Sequence, residues 1–307
     1  MAKRRGLPIN GWIALDKPVG IGSTQALAKV RHATGAAKAG HGGTLDPLAS
    51  GLLPIALGEA TKTVAWAMAG RKRYRLTIRW GEATATDDAE GAVIETSPHR
   101  PDRAALLAAL PDFTGDILQV PSSYSAILVD GRRAYDLARA GKTVELAPRP
   151  VRIDEIRLID LPDADHAVLE VTSGKGVYMR SLGRDLARRL GTVAHLSALR
   201  RLSVGRFSVD HAISMDQLDR LGHIEGLSEH LLPIETALDD IPALALTEAE
   251  ALRLRHGQSV LPLCPSDRAR IHQLGDGSVV SVRTGGKLVA LAETDAGMLK
   301  PMRILNV

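Results

Sequence analysis

The chain has 307 residues, of which 45% are hydrophobic, 24% charged and 3% aromatic: a globular balance for one large domain plus a small one, or two medium ones. A net charge of +4 and a pI near 9.3 favour a polyanionic partner, and the single cysteine, Cys264, excludes an intramolecular disulfide framework and a cysteine-built zinc site. No apolar run approaches the ~18 residues of a membrane span, and the basic Met1–Gly6 start has no apolar stretch behind it, so the sequence reads as a cytoplasmic protein of a reducing compartment.

In chain order, Gly11–Pro18 reads as a short buried strand ended by proline. Ser23 reads as the cap of a helix with Ala26, Leu27 and Val30 on its apolar face and Gly35 as its stop. Gly40–Gly51 follows, with four glycines and one proline in twelve positions, so a shaped loop is expected there. It holds one carboxylate, Asp46, and one imidazole, His41, and the apolar run 52–57 would anchor it. A rigid loop on an apolar base is how active sites are often built, although Asp46-Pro47 is also a plain turn signal. Glu59–Ala69 reads as a second helix, with Gly70 as its stop.

Residues 73–80 alternate, with Tyr74, Leu76, Ile78 and Trp80 on one face and Arg73, Arg75, Thr77 and Arg79 on the other. Arg71–Arg79 carries five basic residues in nine positions, which suits either a solvated outer face or a strand lying along a phosphate backbone. Thr84–Gly91 reads as an acidic loop without the spacing of a calcium site. Asp102 reads as the cap of a helix running to Leu110. Asp130-Gly131 is a turn signal after the apolar residues 126–129, and a helix from about Arg133 to Arg139 follows. Strands are expected over 151–161 and 167–172. After the turn at 173–176 comes a helix with Leu182, Leu186 and Leu190 on one face and Arg180, Arg184 and Arg188 on another. Arg184 and Arg188 read as a solvated stripe, whereas Arg180, at the turn-to-helix junction, can point into a cleft. Leu199–Gly205 is another basic strand.

A boundary is expected between Leu238 and Pro242. Beyond it Thr247 and Glu250 match a capping box, and short strands are expected at 270–274, 279–282, 287–292 and 302–307. Nucleotide-binding fingerprints fail on detail: Gly141-Lys142-Thr143 lacks the earlier P-loop glycine, where Asp136 stands, and Gln25 and Leu45 occupy the third glycine positions of two dinucleotide-like patterns. The ten histidines form no helical zinc pair, and no nucleophile elbow occurs. A carboxylate in a glycine loop, two tyrosines and spare arginines suit chemistry on a nucleotide without a metal.

Eight motifs in order across roughly 10–210 resemble the TruB family, the bacterial tRNA pseudouridine-55 synthases. They are Leu15-Asp16-Lys17-Pro18-x-Gly20, Ala39-Gly40-His41-x-Gly43-Thr44-Leu45-Asp46-Pro47-x-Ala49-x-Gly51, Leu57-Gly58-Glu59-Ala60-Thr61-Lys62, Lys72-Arg73-Tyr74, Pro121-x-x-Tyr124-Ser125-Ala126, Asp130-Gly131-x-x-Ala134-Tyr135, Lys175-Gly176-x-Tyr178-x-Arg180 and Leu199-Arg200-Arg201. The resemblance implies an α+β pseudouridine synthase fold: a mixed, largely antiparallel sheet with flanking helices and a central cleft. It also implies a small C-terminal β-rich, PUA-like RNA-binding domain. Expected bounds are a basic tail at 1–9, a catalytic domain at 10–239 and the PUA-like domain at 242–307.

By resemblance, Asp46 is the nucleophilic aspartate that breaks the uridine C1′–N1 bond, by adding to the ribose or by removing its C2′ proton. Arg180 is similar to the arginine that pairs with it. Tyr74 resembles the residue that stacks on the target base and assists proton removal from C5. Tyr178 and Leu199 match positions lining the uridine pocket, and His41 matches the side chain that enters the tRNA T-loop where the flipped nucleotide leaves the stack. Lys17 and the Arg71–Arg79 strand are expected phosphate contacts. Two residues depart from the family pattern: Gly42 stands where threonine is common and Leu128 where lysine is common. No metal, cofactor or obligate protein partner is expected, and the chain reads as acting on the tRNA T-arm. The competing readings are a tRNA-folding helper on the same scaffold, a guide-RNA-dependent relative of the dyskerin type, and an unrelated hydrolase using Asp46 and His41.

Overall fold

In the computed structural model, which describes residues 6–125, 127–129, 131–139, 146–221 and 224–306, the alternating apolar segments line up edge to edge. Eleven strands among the described residues join into one sheet, and its main path runs Ile213–Ser214, Gly11–Lys17, Ser50–Leu57, Ala194–Val204, Lys72–Trp80, His166–Ser173, Arg149–Asp163, Gly115–Gln119. Two of those pairings are parallel, Gly11–Lys17 with Ile213–Ser214 and Ser50–Leu57 with Ala194–Val204, and the rest are antiparallel. The alternation in 72–80 is seen as expected: Tyr74, Leu76, Ile78 and Trp80 are buried on one face, and Arg73 and Arg75 are exposed on the other.

Helices Ser23–Thr34 and Met179–Arg189 belong to the core on that face, where Ala26, Val30, Leu182 and Leu186 pack with Leu15, Ile55, Leu76 and Leu196. On the opposite face a second cluster gathers Trp12, Leu52, Ala56 and Phe207 with Leu288, Leu291 and Leu305 from the C-terminal segment. The C-terminal segment thus packs directly on the back of the large sheet. Lys62 Nζ reinforces the junction by donating to Ile304 O (2.7 Å), and Asn306 N donates to Glu59 Oε2 (2.7 Å).

The C-terminal segment has its own four-stranded sheet, Ala243–Ala245, Val279–Thr284, Lys287–Asp295 and Met298–Ile304, and its own core around Leu254, Ile271, Val280 and Leu299. Its first helix, Glu248–Arg255, carries the expected capping box between Thr247 and Glu250. Residues 270–274, expected as a strand, instead end the helix Pro265–Leu274, for which Pro265 at the first helical position is the local signal.

Other local readings are refined by distant contacts. Gly22, not Ser23, occupies the cap position of the first helix, because the Ser23 hydroxyl is engaged with Leu45 across 22 residues. Residues 58–69 split into a 3-10 turn, Gly58–Thr63, and a short α-helix, Val64–Ala69. The acidic loop 84–91 is flanked by a paired hairpin, Glu82–Thr84 with Val93–Thr96. Strands Leu128–Val129 and Arg132–Arg133 pair around the expected turn, with helix Ala134–Arg139 after them. Ala126, Asp130, the 141–143 triplet and residues 1–5 of the basic tail lie outside the described residues.

Candidate active site

The glycine-rich stretch is shorter as a loop than its composition suggests. Gly40 and His41 end the strand Ala39–His41 and Ser50 and Gly51 begin the next, leaving 42–49 irregular. Four distant groups hold this loop in place. The Ser23 hydroxyl donates to Leu45 O (2.9 Å) and accepts from Leu45 N (2.8 Å), and Gly20 N donates to Pro47 O (2.8 Å). Gly42 N donates to Pro54 O (2.7 Å). Arg201, only 1% exposed, donates from Nη2 to Gly43 O (3.0 Å), from Nη1 to Thr44 O (3.4 Å) and from Nε to Leu52 O (2.8 Å). No carboxylate neutralises Arg201 among the described residues, so backbone dipoles and the facing Tyr74 hydroxyl solvate a buried guanidinium whose pKa burial lowers. Gly51 adopts φ +96°, and a Cβ there would stand 2.2 Å from Arg201 O, so the parallel contact between these strands requires glycine.

This frame presents Asp46 at a cavity of about 340 Å³ that Tyr74, Tyr178, Arg180 and Leu199 also line. Arg180 Nη2 lies 2.8 Å from Asp46 Oδ2; the carboxylate is 41% exposed and the arginine side chain 7%. Arg180 is itself held from several sides. Its Nη1 donates to Thr86 O (3.0 Å), its Nη2 to Tyr124 O (2.9 Å), and its Nε faces Asp88 Oδ2 at 3.5 Å. Asp88 is buried and also accepts from the Thr86 hydroxyl and Glu90 N. A second arginine, Arg184, pairs with Asp87 (3.1 Å), which burial pushes above the ordinary carboxylate range. The acidic loop is therefore a bracket for the Arg180 helix. Sequence reasoning passed over Asp88 and Arg201, and it placed Arg184 on a solvated stripe that only Arg188 occupies. The signal that could have found Asp88 is an acidic cluster with no calcium spacing and no other purpose.

Tyr178 stands at the turn into that helix, with its backbone gripped by the buried Gln119 amide: Tyr178 N donates to Gln119 Oε1 (2.8 Å) and Gln119 Nε2 donates to Tyr178 O (3.1 Å). Tyr74 and Leu199 reach the cavity from neighbouring strands of the sheet. His41 is not among the lining residues; it is half-buried, and burial holds its pKa below the usual imidazole value.

Lys17 requires a correction. It is fully buried, and its Nζ donates to Pro18 O (2.7 Å) and Ile21 O (2.8 Å), which leaves no ammonium for a phosphate. Burial pushes it down to about 8, against the pull of the Asp46 carboxylate, so Lys17 is a cation under the loop. The Arg71–Arg79 strand is narrowed in the same way. Arg75 pairs with Glu170 (2.6 Å), Arg79 with Glu82 (3.0 Å) and Arg71 with Asp154 (3.2 Å), and only the exposed Arg73 has no such partner among the described residues. Lys72 turns inward, donating to Met68 O and Gly70 O, and burial pushes its pKa to about 8. Of the two departures, Gly42 is tight, with a Cβ falling 3.3 Å from Pro54, and Leu128 is exposed on the surface.

Residues 31–179 match the TruB family pseudouridylate synthase N-terminal domain, and residues 180–239 the tRNA pseudouridylate synthase B C-terminal domain. The chain belongs to the TruB family. It is 54% identical over 305 residues to tRNA pseudouridine synthase B of Rhodospirillum rubrum, covering 99% of each chain. It is 53% identical to that of Gluconacetobacter diazotrophicus, covering 99% of this chain and all of the relative, and 50% identical to that of Caulobacter vibrioides over the full length of both. The fold is that of the pseudouridine synthases. A Cbf5-Nop10-Gar1 complex superposes with TM-score 0.71 at 24% identity, covering 97% of this chain and 83% of the other. An H/ACA RNP bound to a substrate RNA containing 2′-deoxyuridine superposes with TM-score 0.72 at 21% identity, covering 100% and 92%. No helix among the described residues is long and apolar enough to cross a membrane, and no cluster of three or more His, Cys, Asp or Glu among them could hold a metal ion.

Proposed function

We propose that this chain is a cytoplasmic tRNA pseudouridine synthase that isomerises uridine 55 of the T-loop. The observation that carries the reading is a half-open Asp46 carboxylate held at 2.8 Å by Arg180, in a nucleoside-sized cavity between two tyrosines. A uridine inside a stacked loop does not expose its glycosidic bond, so the nucleotide must flip out to reach Asp46. Asp46 then breaks C1′–N1, by attack on C1′ or by removal of the C2′ proton. The freed uracil turns and bonds through C5 to C1′; C5 loses a proton and N1 gains one, so the reaction needs no added reactant. Arg180 holds the carboxylate aimed into the cavity. Tyr74, next to the base and facing Arg201, stacks on the uracil and assists the C5 proton transfer. Tyr178 and Leu199 close the pocket walls, and His41, outside the cavity, supports the opened RNA loop.

Residues 10–239 form the catalytic unit in this proposal, and 242–307 a PUA-like module that extends the RNA contact. Arg73 on the outer face of its strand is a phosphate contact, whereas Lys17 is not. The protein acts on the tRNA T-arm without an obligate protein partner. A role in helping tRNA fold is compatible with this one and uses the same surface.

The test is Asp46→Asn. It is expected to abolish pseudouridine formation in an unmodified T-arm stem–loop, mapped at nucleotide resolution, while RNA affinity stays within a few fold. Retained turnover, or product at another position with the native protein, would sink the assignment.

A further inference from the structure

A second cavity, of about 300 Å³, opens beside the Asp46 cavity. The two share one wall, Lys175, Gly176 and Tyr178, and no activity assigned above uses the second. Its far side is the paired strand edge that carries Gln119, Arg149 and Pro150, with Arg149 directly opposite Gln119 in register. The Gln119 amide, which grips the Tyr178 backbone in both directions, fixes the partition between the cavities.

Charge distinguishes this cavity. Further along the strand that carries Arg149 the arginines are neutralised: Arg152 pairs with Asp116 (2.9 Å) and Asp154 (3.3 Å), and Arg157 with Glu170 (3.1 Å). Arg149 and Lys175 are both exposed at the cavity, and neither has a carboxylate partner among the described residues. These two cations line the pocket together with Pro121, Pro150 and Tyr178. Such a site offers point charges for a phosphodiester and flat apolar surface for a base.

We infer that this cavity is a subsite for the nucleotide bonded to the target uridine, its phosphate on Arg149 and Lys175 and its base against Tyr178. The inference rests on the proposed reaction, because a uridine flipped into the first cavity brings its flanking phosphates to the rim where these cations stand. A chain held on both sides of the Tyr178 partition keeps the ribose C1′ in place beside the first cavity while its glycosidic bond is open.

The experiment measures affinity, so it stays readable whatever the protein's turnover. Binding of T-arm stem–loops is measured by fluorescence anisotropy with the Asp46→Asn protein, with and without Arg149→Ala. One RNA is fully charged; in others a single neutral methylphosphonate replaces the phosphate on the 5′ or the 3′ side of the target uridine, or a remote one. Arg149→Ala is expected to weaken the fully charged RNA about tenfold and to lower the salt slope by about one phosphate. It should have no further effect on the RNA neutralised at one of the two flanking linkages, and that linkage names the side. Equal losses on all four RNAs, or no loss on any, would overturn the subsite. Absence of product from the native protein would overturn the proposed reaction instead, and the binding result would still stand as a statement about RNA contact.

Discussion

Two neighbouring strands, Lys72–Trp80 and Ala194–Val204, both read as basic in sequence and pair along most of their length, yet two of their arginines, Arg75 and Arg201, are used in opposite ways. On the first, Arg75 and Arg79 turn outward and meet carboxylates supplied by nearby residues. On the second, Arg200 grips Asp16 with two bonds (3.0 and 2.6 Å), while Arg201 turns inward and finds backbone carbonyls of the Asp46 loop and the strand after it. The difference lies less in the arginines than in what faces them. A carboxylate at the surface screens a charge that water would screen anyway. A cage of carbonyls from a glycine-rich loop depends on its one cation, because removing it leaves several buried acceptors without a donor.

The contrast is sharpest under substitution. Arg201→Met is expected to lower stability by about 3 kcal/mol, read by thermal or denaturant unfolding, and to cost at least ~100-fold in pseudouridine formation through a loosened Asp46 loop. A second, intermediate effect concerns pH. Lys72 and Lys17 are both pushed down to about 8 by burial, with the Arg201 charge contributing to each. Between about pH 8 and the ordinary lysine value near 10.5 the unfolded chain therefore binds more protons than the folded one, so stability should rise with pH across that window, by at most about 1.4 kcal/mol per unit per lysine. Unfolding followed from pH 7.5 to 10.5 should show the rise, and Lys72→Met should remove about half of it, leaving the Lys17 share; an unchanged slope would place the Lys72 ammonium in water. The smallest effect is expected at the surface. Arg75→Met should cost under about 1 kcal/mol in the same unfolding assay, because Arg75 is half exposed and Glu170 keeps Arg157 as a partner. A loss as large as that at Arg201 would erase the distinction between the strands.

What could be read in advance follows the range of the interaction. The alternation of Tyr74, Leu76, Ile78 and Trp80 is visible because a half-buried strand has period two. The capping box at Thr247 is visible because its partner lies three residues away. The position of Arg180 at a turn-to-helix junction marks it as able to enter a cleft, and there it meets Asp46. Ser23, Lys17 and Arg201 were misread or passed over because the groups that give them meaning lie elsewhere in space. Ser23 looks like a cap until Leu45 arrives, and Lys17 looks like a surface cation until its strand is seen with a neighbour on each edge and its side chain buried. Asp88 shows in sequence only as one member of an acidic cluster, because the arginine that gives it meaning is contributed by a distant helix.

The reach of the Arg201 clamp also has a consequence in time. The guanidinium that closes the catalytic loop lies 158 residues downstream of the carbonyl it binds at Gly43. At ~5–20 residues per second of synthesis, the loop waits roughly 10–30 s for its clamp. A nascent chain carrying Asp46 therefore lacks the clamp on its loop until the strand bearing Arg201 has left the ribosome and slotted in beside Gly51.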